Sequence, residues 1–124
     1  MRLIDLTPML QSADLDRTEA WYRDVLGFAR AGRAEGWLRM ERDGVALMFM
    51  TNAHVGEPAA TAVQYIRVDD ALSLWDDLRD KVGAEWGPED FDYGMREFAI
   101  RDPDGYLLSF GQDLEAATAD ATKG

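Results

Sequence analysis

Few residues of this chain are equipped to make or break bonds. Cysteine is absent, so neither a thiolate nucleophile nor a disulfide is available. The single histidine, His54, lies in NAHVGEPAA (52–60), which reads as a loop, and a lone loop histidine is first of all a solvated residue. Ser109 sits in LLSFG, which forms no nucleophile elbow and brings no second histidine as a base. The glycines are scattered at turns and build no phosphate-cradling loop. No catalytic residue is assigned. What remains is a cluster in which Glu85, Glu89, Asp90 and Asp92 crowd around Trp86, Phe91 and Tyr93. It reads either as a solvated acidic loop or as a binding rim, with acids steering a cationic ligand and aromatics stacking on its rings. On the second reading Trp86 and Tyr93 are ligand contacts.

Whatever positions these residues must be small. A length of 124 residues suits one domain, and 47% hydrophobic content is enough for a packed core. The net charge of −11 repels phosphate backbones, so nucleic acid is excluded as an expected partner. No apolar run approaches the ~20 residues that span a bilayer, so no membrane partner is expected. MRLIDLTPML reads as a first strand rather than a signal peptide. A cytoplasmic location is expected.

Two segments repeat one pattern. The first runs from about Thr7 to Thr51 and the second from about Thr61 to Gln112. Each opens with a strand-like stretch, TPMLQS or AVQYIRV, and then an aspartate placed to cap a helix, Asp14 or Asp70. Thr18, Trp21, Tyr22, Val25 and Leu26 share one face of the first helix; Ala71, Leu74, Trp75, Leu78 and Val82 share one face of the second. Gly27 and Gly83 are the expected helix stops. RDGVALMFM (42–50) then aligns with PDGYLLSFG (103–111), each carrying an Asp-Gly hairpin signal. Met48 falls on Ser109, and Thr7 on Val63. The expected fold is α+β: two tandem βαβββ modules forming a cupped mixed sheet with helices on its outer face. The modules span about 1–51 and 61–112 of a single domain (1–112), with a linker at 52–60 and a flexible tail at 113–124. Alternation along the strands sends Asp5, Thr7 and Met9, Ala46, Met48 and Met50, Val63, Tyr65 and Arg67, and Leu107 and Ser109 toward the concave face.

DLDRTEAWYRDVLGF (Asp14 to Phe28) and GMREFAIRDPDGYLLSF (Gly94 to Phe110) resemble the vicinal oxygen chelate superfamily of glyoxalases, extradiol dioxygenases, fosfomycin-resistance enzymes and bleomycin-resistance proteins. The resemblance covers about Arg2 to Gln112 and is strongest to the bleomycin-resistance branch, through the WY and LGF helix motif and the DPDG turn after REFAIR. It implies paired βαβββ modules and a homodimer. The enzymes of the superfamily hold a divalent metal through four His, Glu or Gln side chains on the first and last strand of each module. Those positions fall here on Thr7, Met48, Val63 (with Gln64 one residue off) and Ser109. Two hydroxyls, a thioether and an alkyl group do not hold a divalent ion, so no metal and no cofactor is expected. The resemblance also implies that Trp37, in EGWLRMER, stacks on the ligand. The reading is a metal-free protein that sequesters an aromatic, cationic small molecule. Its contacts are Trp37, Met48, Met50, Thr7, Met9, Val63, Tyr65, Ser109, Trp86 and Tyr93. The alternative is a metal-dependent lyase or dioxygenase with an unusual ligand set.

Overall fold

Two aspartates start the two helices. The carboxylate of Asp14 accepts the backbone N–H of Arg17 (3.1 Å), and that of Asp70 accepts the N–H of Ser73 (3.1 Å). Around these caps the computed structural model, which describes residues 1–51, 57–58 and 62–115, repeats one βαβββ pattern twice. It divides into two compact units, Met1–Ala59 and Ala60–Gly124. His54, most of the 52–60 linker and the chain beyond 115 lie outside the described residues.

The first unit contains β1 (Met9–Gln11), α1 (Leu15–Asp24), β2 (Ala29–Ala34), β3 (Trp37–Arg42) and β4 (Val45–Met50). The sheet order is β1-β4-β3-β2, with β1 parallel to β4 and the other pairs antiparallel. Arg42 faces Val45 across a two-residue turn in which both Asp43 (φ 52°) and Gly44 (φ 80°) are left-handed. That geometry matches the twist of the flanking strands and favours Asp-Gly. Leu38 and Met40 on β3, Leu47 and Phe49 on β4 and Leu10 on β1 are buried on one face. Helix α1 covers that face with Leu15, Thr18 and Tyr22, and the Tyr22 ring lies 4.8 Å from Phe49 and 5.7 Å from Phe28. Arg42 donates to the Leu26 carbonyl just past α1 (2.7 Å), where an orphan acceptor and the helix dipole both favour a cation. Glu19 on α1 accepts from Arg30 and Arg33 of β2 (2.9 Å each), and Arg30 first of all holds its carboxyl below the usual range.

The second unit contains β5 (Val63–Arg67), α2 (Ala71–Leu78), β6 (Trp86–Asp90), β7 (Met95–Arg101) and β8 (Leu107–Asp113), in sheet order β5-β8-β7-β6. Again the outer pair, β5 with β8, is parallel. Phe98 and Ile100 on β7 and Leu108 and Phe110 on β8 form the buried face, against which α2 lays Ala71 and Leu78. The Phe98 and Phe110 rings stack at 5.1 Å, and Trp75 meets Phe98 at 5.2 Å. The repeat register holds in the strand pairs: Met9 lies opposite Met48, and Tyr65 opposite Ser109. No helix among the described residues is long and apolar enough to cross a membrane.

Three expectations need correction. The first strand is only Met9–Gln11, so Asp5 and Thr7 do not sit on the sheet; Pro8 has no N–H to extend the ladder. Helix α2 ends at Leu78, well before Gly83, because Lys81 and Val82 both donate to the Leu78 carbonyl and turn the chain early. The acidic stretch is largely a strand: β6 pairs with β7, with a register shift between Trp86 and Glu89. The second Asp-Gly hairpin is wider than the first. Arg101 faces Leu107, and the buried Asp102 carboxylate accepts the N–H groups of Asp104 and Tyr106 (2.9 and 3.0 Å) to hold the five-residue loop.

Candidate functional site

Each sheet has one face packed on its helix and one face free of it, and nearly all the anticipated contact residues occupy the free faces. In the first unit Met9, Met48 and Met50 share that face, as their alternation with Leu10, Leu47 and Phe49 requires. Trp37 lies flat across it. Its indole N–H points to the Met48 sulfur (3.4 Å), and its six-membered ring covers Gly32, where a Cβ would stand 2.7 Å from the ring. Arg39 and Glu41 pair beside it (2.8 Å). The face is therefore thioether and indole with one internal ion pair. Thr7 is half-buried two residues before β1.

The free face of the second unit has a different chemistry. Trp86, Ala99, Ser109 and Tyr65 form one row across β6, β7, β8 and β5. Three interstrand steps set the two aromatic backbones roughly 14 Å apart. The residues between them are small, and both end residues are exposed. The next row runs Glu89, Glu97, Gly111, Arg67. Val63 lies further along the edge strand β5 and is also exposed.

Glu97 joins these rows. It is only 6% exposed. Tyr65 donates its phenol to Oε2 (2.5 Å), and Tyr93, from the turn between β6 and β7, donates to Oε1 (2.7 Å). Tyr93 in turn stacks on Phe91, 5.4 Å away. Burial of the Tyr65 hydroxyl, followed by the hydrogen bond to Glu97 and its negative charge, pushes the phenol up to about 12. The Tyr93 phenol is also raised, chiefly by its hydrogen bond to Glu97. Gly111 makes room for this arrangement, because a Cβ there would collide with the Tyr65 hydroxyl.

Glu97 is flanked along β7 and the turn after it by Arg96, Arg101 and Asp102, all placed to serve the hairpin. Those three do serve it: Arg96 binds Asp90 (2.6 Å), Arg101 donates to the Gly105 carbonyl (2.8 Å), and Asp102 holds the turn. Glu97 instead faces outward from the sheet. The alternation of Glu97 and Ala99 with Phe98 and Ile100 carries that signal, and a glycine inside a strand, such as Gly111, marks close approach of another group.

A divalent metal does not fit the four superfamily positions. Thr7, Val63 and Ser109 bring no imidazole or carboxylate, and the Met48 sulfur already faces the Trp37 indole. Among the described residues no three His, Cys, Asp or Glu side chains converge as a metal group.

The model of the glyoxalase/bleomycin resistance protein/dioxygenase superfamily matches residues 6–110. The chain belongs to this superfamily. Within it, a bleomycin resistance protein of Klebsiella pneumoniae is 30% identical over 116 residues, covering 86% of this chain and 90% of that one. The bleomycin resistance determinant encoded on transposon Tn5 superposes with a TM-score of 0.75 at 28% identity, over 90% of this chain and 98% of that one. A bleomycin-binding protein crystallised with bleomycin gives 0.71 at 27% identity, over 89% and 98%.

Proposed function

We propose that this superfamily member is a binding protein that sequesters an aromatic, cationic antibiotic of the bleomycin type. It acts without covalent chemistry and without a metal of its own, and its functional species is a homodimer. The observation that carries this reading is the free face of the second sheet. There the exposed Trp86, Tyr65 and Tyr93 surround a row of small residues, Ala99, Ser109 and Gly111, that are themselves buried. Flat rings stack well on exposed aromatic side chains, and a contiguous exposed aromatic patch marks a binding surface. The names of the bleomycin-related proteins similar to this chain support the ligand class. Trp37, Met9, Met48 and Met50 on the first sheet offer a second apolar contact surface, methionine being the side chain that adapts best to an irregular guest.

The test is a tryptophan-fluorescence titration with bleomycin and a panel of other planar antibiotics. Truncating an aromatic anchor costs about 2 kcal/mol, roughly thirtyfold in affinity. Trp86→Ala is expected to lose that much while its melting temperature stays within a few degrees. Silence of the native protein across the whole panel refutes the reading. Sedimentation equilibrium checks the dimer.

A further inference from the structure

A buried carboxylate normally has a cation beside it, and Glu97 does not. Two phenols satisfy hydrogen bonds to its oxygens, but among the described residues no Lys or Arg stands within ion-pair distance of it. Three other acids near this sheet have partners. Asp90 pairs with Arg96, Glu85 pairs with Arg101 (3.0 Å), and Asp102 is occupied by its turn. Arg67 shares the row of Glu97 across Gly111 without pairing to it. Glu89 makes the imbalance larger, because it is the direct cross-strand partner of Glu97 on the same face. Like charges placed opposite each other in a sheet repel. One positive group from outside would pair with Glu97 and screen it from Glu89.

We propose that Glu97, with Glu89, Tyr65 and Tyr93, is the subsite for a compact organic cation, a protonated amine or an amidinium, carried by the ligand. The inference rests on reading this face as the ligand-binding surface. The incoming N–H replaces the Tyr93 hydroxyl at Oε1. A charged donor binds a carboxylate more strongly than a neutral phenol does, so the exchange is downhill. Tyr93 is the residue that yields, because it belongs to an exposed turn and is 60% exposed itself. Tyr65 stays, seated over Gly111 with its hydroxyl on Oε2. The Tyr65 hydroxyl then stands beside the cation, and the released Tyr93 ring packs on it through its face.

The experiment compares benzamidinium with benzamide, which share ring and shape but not charge, by fluorescence titration. The native protein is expected to prefer benzamidinium at least tenfold. Glu97→Gln reduces the preference below twofold. Tyr93→Phe, which removes the competing hydroxyl, raises benzamidinium affinity severalfold and leaves benzamide unchanged. Asp76→Asn, on the exposed side of α2, keeps the native preference. Glu89→Gln lowers it at least threefold and decides the matter should Glu97→Gln fail to fold. Absence of a preference in the native protein, its retention in Glu97→Gln, no change in Glu89→Gln, or its loss in Asp76→Asn overturns the proposal. Bleomycin is titrated alongside. Bleomycin binding that ignores Glu97→Gln refutes this subsite but leaves the proposed function intact. Amidinium selection by Glu97 without any bleomycin binding does the reverse.

Discussion

Removing one hydroxyl, in Tyr65→Phe, tests the central arrangement. The phenol of Tyr65 is the donor to Oε2 of a carboxylate that is 94% buried. A hydrogen bond to a charged group contributes about 1.5–3 kcal/mol. The rise of the phenol from 10 to about 12 corresponds to roughly 2.7 kcal/mol at full strength. Tyr65 is 47% exposed, so solvent screening cuts that to about 1 kcal/mol. With a urea slope near 2 kcal/mol/M, Tyr65→Phe moves the midpoint down by about 0.5 M. The pH dependence has a definite sign. The folded-state value lies above the unfolded one, so the stabilisation is complete below pH 10 and disappears as the pH rises through about 12. The difference between native and variant is therefore constant from pH 7 to 9 and closes toward pH 12. A double-mutant cycle with Glu97→Gln isolates the pair, with an expected coupling of about 1 kcal/mol. Equal midpoints for the native protein and Tyr65→Phe at pH 7, together with zero coupling in the cycle, refute the reasoning.

Two further outcomes follow from the packing. Gly111→Ala puts a methyl where the Tyr65 hydroxyl lies; it displaces the ring and costs about 1–2 kcal/mol, although alanine is otherwise the better strand residue. A normal tyrosine titration near 10 in that variant reports the release of Tyr65. Phe49→Ala empties the fully buried centre of the first unit beneath Tyr22 and costs about 3–5 kcal/mol in chemical denaturation, by a cavity rather than by charge.

Much of the architecture was readable because local chemistry and global pattern agree. Asp14 and Asp70 each precede an amphipathic run and do cap helices. Asp43–Gly44 demands a left-handed pair and forms one. The alignment of Met48 with Ser109 reappears in the strand registers. What escaped depends on groups brought together from distant places. Tyr65 and Glu97 are 32 residues apart, and nothing local to either announces a shared proton. The end of α2 is set by a turn at Leu78 rather than by a glycine. The strand character of 86–90 was hidden by its acids, which composition assigns to loops, whereas pairing with β7 overrides that preference. Residues 1–8 illustrate the opposite error: an apolar stretch with strand-like composition, stopped by Pro8.

Strand β7 carries two unrelated tasks on alternate residues. Phe98 and Ile100 fasten the sheet to α2, whereas Glu97 and Ala99 look the other way. The second set can thus be rewritten without touching the first. A library varied at 65, 97, 99 and 109 would leave the α2-facing residues in place while searching for new guests, at a cost of about 1 kcal/mol wherever the Tyr65–Glu97 bond is lost, which makes this half of the molecule a starting frame for engineered receptors.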